Sequence, residues 1–201
     1  MNETIQKNIK IAEKRILELT KAEDLKKISE KEKYQISTFY ENKSKNRLET
    51  ARIIYNLSKD QNKPYKDYAE VVSAAYYSMY YIVHAFLALK YKRKLRTGIR
   101  GVHAITQQII LYYLVKTKRI AKHLYEDYLT TFETTAEIQN LSIEDFQEKA
   151  YEYARKYEKS RSAREIFTYN TTVSIEEYHA EQAINRAEEF ISTIREVMIS
   201  K

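Results

Sequence analysis

The scarcity of glycine and proline constrains the fold of this chain more than any other feature of its sequence. The 201 residues include 2 Gly and 1 Pro, whereas ordinary usage would supply roughly 14 and 10. Tight hairpins, phosphate-binding loops and dinucleotide-binding turns need glycine for positive φ angles or for close approach of a ligand to the backbone. The composition therefore excludes β-sandwiches, Rossmann folds and Walker-type NTPases, and it predicts an all-α protein.

The absence of cysteine and the net charge further limit the kinds of site and partner that this chain can have. Because the chain has no cysteine, it has no disulfide, thiolate metal site or cysteine nucleophile. No apolar run approaches 18 residues and the N-terminus is polar, so we expect a soluble, cytoplasmic protein with no membrane partner. A total of 35 Lys and Arg against 28 Asp and Glu gives a net charge of +7, which is compatible with a polyanionic partner.

Apolar spacing divides the chain into an N-terminal amphipathic helical arm (residues 1–40) and a helical domain (residues 41–201). The arm carries one narrow apolar seam on otherwise charged helix faces. The seam consists of Ile5, Ile9, Ala12, Ile16 and Leu19. Because the chain is mostly polar between Glu30 and Lys45, we predict a helix break there. The arm could pack on its own domain, contact a second copy or dock a partner, and the sequence leaves these three arrangements open.

The domain is predicted to be helical throughout. Helices are expected over about residues 45–58, 65–93, 102–116, 119–136 and 142–159, and from a capping box at Ser174 onward. The helix over 65–93 has little room for a polar face, so it should be the central, buried one. Most of its tyrosines should lie in the core, and one or two could stack on nucleic-acid bases. His84, in an apolar stretch of this helix, is predicted to be a hydrogen-bonded core residue.

The basic connection after the central helix is the strongest candidate for a functional site. Arg93, Lys94, Arg96 and Arg100 lie in it, and His103 follows in the first turn of the next helix. Guanidinium groups suit phosphate, a helix N-terminus adds free N–H donors, and a histidine there could titrate near neutral pH. These parts would suffice for metal-free RNA cleavage, with His103 as acid or base and Arg96 stabilising the transition state. The alternative is a solvated loop with His103 facing solvent.

No metal or cofactor is expected. The histidines are scattered along the sequence, and catalytic metal sites need histidines and carboxylates that converge from neighbouring helices. Serine hydrolase chemistry needs an oxyanion turn, usually with glycine, and only residues 98–101 could supply one.

Three blocks of sequence resemble prokaryotic HEPN domains (higher eukaryotes and prokaryotes nucleotide-binding). The first is Val72-Ser-Ala-Ala-Tyr-Tyr-Ser-Met-Tyr-Tyr81 and the second is Gly101-Val102. The third is Arg164-Glu-Ile-Phe-Thr-Tyr169-Asn, followed later by Ala187-Glu-Glu-Phe190. The blocks fall in the family's order and cover about residues 45–199. The resemblance implies a HEPN-like helical bundle and a homodimer with a composite site.

The resemblance also implies an activity. HEPN ribonucleases carry an Arg and a His with four to six residues between them, and Arg96 and His103 enclose six residues. This implies a metal-independent endoribonuclease that cleaves RNA by 2′-OH attack, with Arg93, Lys94 and Arg100 binding phosphate. It could be the toxin of a toxin–antitoxin or other defence system, with a nucleotidyltransferase antitoxin as partner.

Two departures from the family pattern favour a different function. Ala74 and Ile99 stand where the family has polar residues. The alternative is therefore a non-catalytic HEPN module that binds nucleotide, RNA or a nucleotidyltransferase partner.

Overall fold

The computed structural model describes residues 3–60, 62, 65–138 and 175–200. These residues form helices and one pair of very short strands. In chain order the elements are α1 (Glu3–Lys21), β1 (Leu25–Lys27), α2 (Glu30–Lys59), α3 (Tyr68–Tyr91), β2 (Arg93–Leu95), α4 (Val102–Ile110), α5 (Lys122–Ile138) and α6 (Glu177–Ile199). The chain continues from α4 into a π-helix at Leu111–Val115. The predicted all-α class is confirmed.

The central helix of the bundle is α3, as predicted. It packs against α2, α4, α5 and α6, and residues such as Val71, Met79, Ile82 and Phe86 are fully buried. Helix α3 is long and apolar enough to cross a membrane, but 83% of its most apolar window is buried inside the bundle. Burial of this extent is typical of a core helix.

The N-terminal seam packs on the chain's own helices. All five predicted seam residues of α1 are buried, and α1 contacts α4 and the π-helix that follows it. Burial of these apolar side chains stabilises the docked arm through the hydrophobic effect.

The predicted helix break between Glu30 and Lys45 is wrong. Helix α2 runs without interruption from Glu30 to Lys59, so residue 40, where the arm was predicted to end, lies inside it. Ser29 caps this helix through a reciprocal pair of hydrogen bonds with Glu32. The sequence of this part of α2 looks polar because its buried positions include serines instead of larger apolar residues. The buried Ser44 hydroxyl donates a hydrogen bond of 2.7 Å to the Ser78 carbonyl of α3.

The last helix begins slightly later than predicted. Glu176 caps α6 through reciprocal hydrogen bonds with His179. Ala183, Ala187, Phe190, Ile194 and Val197 are buried, which confirms the inward face that their spacing indicated. The predicted cap at Ser174, the predicted helix over 142–159 and the family-like block at 164–170 lie outside the described residues.

Candidate functional site

The predicted basic loop is in part a short strand paired with the N-terminal arm. Helix α3 ends where Lys92 adopts a left-handed conformation with φ of 50°, and the chain then turns into β2. Strand β2 pairs antiparallel with β1, with Leu95 opposite Leu25 and Arg93 opposite Lys27. The pairing places the arm directly beside the cations that were expected to bind phosphate.

Two of the predicted arginines contact this arm. The Arg93 guanidinium donates a hydrogen bond of 3.0 Å to the Leu25 carbonyl. The Arg96 side chain forms an ion pair of 2.7 Å with the Asp24 carboxylate, and its backbone N–H donates to the Asp24 carbonyl at 2.8 Å. The side chain of Arg96 is 50% exposed and that of Asp24 is 10% exposed. Arg96 is thus held by a carboxylate while one side of it stays open to solvent.

Two lysines face acidic residues in the first turn of α2. Lys92 forms an ion pair with Glu30, and Lys94 lies 3.7 Å from a carboxylate oxygen of Glu32. The pKa of Glu30 is lowered by hydrogen bonds from Lys33 and Lys92. We call Asp24, Glu30 and Glu32 the acidic strap, because together they face Arg96, Lys92 and Lys94. Each of these three cations therefore faces a carboxylate of the chain itself.

Arg100 is exposed at the end of this segment. It lies between Gly98 and Gly101, whose φ angles of 78° and 68° are in the left-handed region that favours glycine. Gly101 is the N-cap of α4, and no side chain caps this helix start. Arg100 therefore lies immediately before the N-cap of α4 and two residues before its first residue, Val102.

His103 lies in the first turn of α4, with its ring in a cluster of aromatic side chains. Its Nδ1 is 2.6 Å from the Tyr76 hydroxyl. The ring centroids of Tyr76, Tyr77 and Tyr80 lie 5.6, 5.9 and 5.1 Å from that of His103. Phe132 of α5 stacks on the imidazole at 6.3 Å. The alternative in which His103 only faces solvent is therefore wrong.

This enclosure changes the protonation of His103. Burial lowers the pKa of His103 from its ordinary value of 6.5 to about 4, so the ring is neutral at neutral pH. The expectation that it titrates near neutrality is wrong. Burial also raises the pKa of Tyr76 well above its usual value, so its hydroxyl keeps its proton. The Tyr76–His103 hydrogen bond thus joins two uncharged groups.

His84 lies one turn further along α3 from the same cluster. It is buried, and its Nε2 is 3.1 Å from the Thr106 hydroxyl of α4. Burial and the neighbouring His103 lower the pKa of His84 to about 3. The prediction of a hydrogen-bonded core histidine is confirmed.

The tyrosines of α3 divide into two groups. Tyr76 is buried, whereas Tyr77, Tyr80 and Tyr81 are partly exposed. The Tyr76 hydroxyl lies 3.4 Å from that of Tyr128 in α5. Of these four tyrosines, only Tyr76 is fully in the core.

Sequence reasoning missed both sets of partners that define the environment of the site. Tyr128 and Phe132 are four residues apart on one face of α5, so helical spacing could have assigned them to the core. For the acidic strap no local signal exists, because Asp24 and Arg96 are far apart along the chain.

No family model, curated protein or solved structure matches this chain. Within the residues that the structure describes, no group of three or more His, Asp and Glu side chains could hold a metal ion. The resemblance to HEPN domains, the homodimer and the nucleotidyltransferase partner therefore stay predictions.

Proposed function

We propose that this chain is a HEPN-like helical module that binds RNA without cleaving it. The observation that carries the proposal is the enclosure of His103 among aromatic rings, with a pKa of about 4. Cleavage by 2′-OH attack needs one group to accept a proton and another to donate a proton to the leaving oxygen. At neutral pH only about one His103 imidazole in a thousand would carry the proton that a general acid gives up.

The state of Arg96 supports the same proposal. A transition-state donor acts best when it is preorganised toward the charge that develops, but the Arg96 guanidinium is aimed at Asp24. RNA as the ligand is supported by the net charge of +7 and by the nucleotide-binding character of the family that the sequence resembles. Binding needs only accessible cations and rings, which this chain has.

A second candidate is the metal-independent endoribonuclease that the sequence predicts. It is favoured by the hydrogen bond between Tyr76 and His103, which fixes the imidazole in the first turn of α4 beside Arg100. When Nδ1–H of the neutral imidazole donates to the Tyr76 hydroxyl, the Nε2 lone pair is free to act as a general base. On this proposal the proton donor would come from the second subunit of a homodimer, and light scattering tests that assembly.

One experiment separates the two candidates. Single-stranded RNA is incubated in EDTA with wild type, Arg96→Ala and His103→Ala, and RNA binding is measured at two salt concentrations. Because His103 is partly buried, His103→Gln and a circular dichroism melt are included to separate lost folding from lost chemistry. Arg52→Ala, at an exposed arginine of α2 that pairs with Glu188 of α6 at 2.7 Å, is the matched control.

The binding module predicts salt-dependent binding by wild type with intact RNA throughout. Products that end in 2′,3′-cyclic phosphate, formed by wild type and lost in Arg96→Ala and His103→Gln while binding persists, would refute it in favour of the ribonuclease. Absence of any RNA binding would refute both candidates.

A further inference from the structure

A stripe of α2 combines an exposed aromatic ring with two cations. Phe39, Lys43 and Arg47 are spaced four residues apart, so they lie on one side of the helix. Phe39 is 53% exposed, although an apolar ring of this size is ordinarily buried. Tyr77 and Tyr81, also four residues apart, lie beside this stripe on α3. We call these five residues the α2–α3 aromatic face.

The two cations of this face lie against its rings. The Lys43 ammonium is 4.8 Å from the ring centroid of Phe39 and 5.2 Å from that of Tyr81. The Arg47 guanidinium carbon is 5.9 Å from the ring centroid of Tyr77. Cations and aromatic rings therefore alternate across the surface.

The charge of the face is only partly compensated. Arg47 also forms a partly exposed ion pair of 3.6 Å with Glu70. Lys43 is exposed and has no acidic partner among the residues that the structure describes. The face therefore retains positive charge beside an exposed ring.

The face leads to the predicted site. Tyr81 and Tyr77 contact each other, with ring centroids 6.3 Å apart, and Tyr77 contacts His103 at 5.9 Å. Phe39 contacts Tyr40 at 5.3 Å, and Tyr40 stacks on Tyr81 at 6.1 Å. A continuous series of rings thus runs from Phe39 on α2 to His103 in the first turn of α4, so a strand bound along the series would approach the N-terminus of α4.

Alternating rings and cations match one kind of partner. Single-stranded RNA presents unpaired bases, which stack on aromatic rings, and phosphates, which pair with cations. A duplex keeps its bases stacked inside and offers none to an exposed ring. Protein interfaces are depleted of lysine at their centre, and a second copy placed symmetrically on this face would bring the Lys43 and Arg47 cations of both copies into one interface.

We propose that the α2–α3 aromatic face binds single-stranded RNA, with bases stacked on Phe39 and Tyr81 and phosphates paired with Lys43 and Arg47. This inference rests on the proposed function, since it assigns the surface through which the module would bind RNA. It does not require His103 to be catalytic.

The test is the affinity of a short labelled oligouridine, measured by fluorescence anisotropy. Phe39→Ala should weaken binding on the order of tenfold, because it removes one stacking platform. Phe39→Tyr should retain binding, whereas Phe39→Leu, which keeps apolar area without a ring face, should not. The matched control is Tyr34→Ala, because Tyr34 is 59% exposed, lies under a lysine and projects from another side of α2.

The cations are tested through salt dependence. Lys43→Gln should reduce the slope of log affinity against log salt by about 0.7, as expected for one lost phosphate contact on a single strand. Lys45→Gln, two residues away on the opposite side of α2, should leave the slope unchanged. Duplex RNA of the same length should bind more weakly than the single strand.

The outcomes distinguish the two proposals. If wild type binds no RNA, the proposed function fails and this face has no role in it. If wild type binds but Phe39→Ala and Lys43→Gln bind equally well, the proposed function survives and this face is the wrong surface. If Phe39→Ala dissociates a dimer in light scattering without changing RNA affinity, the face is a contact between copies and the inference is overturned.

Discussion

Acid should destabilise this protein through its two buried histidines. The pKa values of His84 and His103 are lowered from 6.5 to about 3 and about 4 in the folded chain. Above pH 6.5 neither the folded nor the unfolded chain protonates them, so they do not change stability. Below pH 6.5 the unfolded chain takes up protons that the folded chain cannot. Each histidine then costs about 1.4 kcal/mol per pH unit, or about 2 kcal/mol at about pH 5 and about 4 kcal/mol for both.

Urea denaturation followed by circular dichroism measures this loss. The free energy of unfolding is determined at about pH 8 and about pH 5 for wild type and for His103→Gln. Titration of the carboxylates changes the stability of both proteins by the same amount, so it cancels when the two losses are compared. Wild type should lose about 2 kcal/mol more than His103→Gln, because wild type carries both buried histidines and the variant retains only His84. Equal losses in wild type and His103→Gln, or a His103 ring that titrates near 6.5 by NMR, would refute the enclosure of this residue.

Three further changes test the strap and the packing. Asp24→Asn removes the charge of a nearly buried carboxylate that accepts a hydrogen bond from Arg96; it should lower the unfolding free energy by on the order of 1 kcal/mol and raise RNA affinity, as measured by anisotropy. Ser44→Ala removes the buried hydrogen bond to Ser78 and should cost about 1 kcal/mol in urea denaturation. Phe190→Ala leaves a cavity where α6 packs against α3 and α5, so it should cost about 3–5 kcal/mol and lower the melting temperature.

The sequence predicted the helices correctly where one face of the helix, or the whole helix, is buried. The seam of α1 and the apolar α3 are defined by large aliphatic and aromatic side chains, whose spacing reports the buried face directly. The continuity of α2 could not be predicted in this way. Ser37 and Ser44 are buried, and a serine has the same appearance in a sequence whether it lies inside the protein or in solvent. A small polar residue on an inner face therefore leaves no apolar signal.

The sequence suggested the residues of the candidate site, but it did not predict whether their side chains are charged or accessible. Composition and the helix start at α4 pointed to Arg96 and His103, because cations, glycines and a histidine are adjacent in the chain. Their partners come from elsewhere: Asp24 from the arm, Tyr76 from α3 and Phe132 from α5. Strands of three residues are too short for an alternating pattern, so nothing indicated that β1 would bring the acidic strap to β2. Pairings between distant segments determine whether these side chains are charged and available.

Any RNA phosphate that binds Arg96 beside β2 must first displace the Asp24 carboxylate of the acidic strap. Arg96 is half exposed, but the Asp24 side chain is only 10% exposed. A phosphate that displaced Asp24 would therefore leave a nearly buried carboxylate without its cation, which costs more than breaking an exposed ion pair. Raising salt weakens the ion pair and the phosphate contact together, so salt alone cannot show which one Arg96 makes in the complex. Asp24→Asn separates them, since Arg96 then becomes available without competition. If RNA extends from the α2–α3 aromatic face to β2, this variant should steepen the salt slope by about 0.7, the value for one added phosphate contact. An unchanged slope would place the strand on α2 and α3 without contact to Arg96.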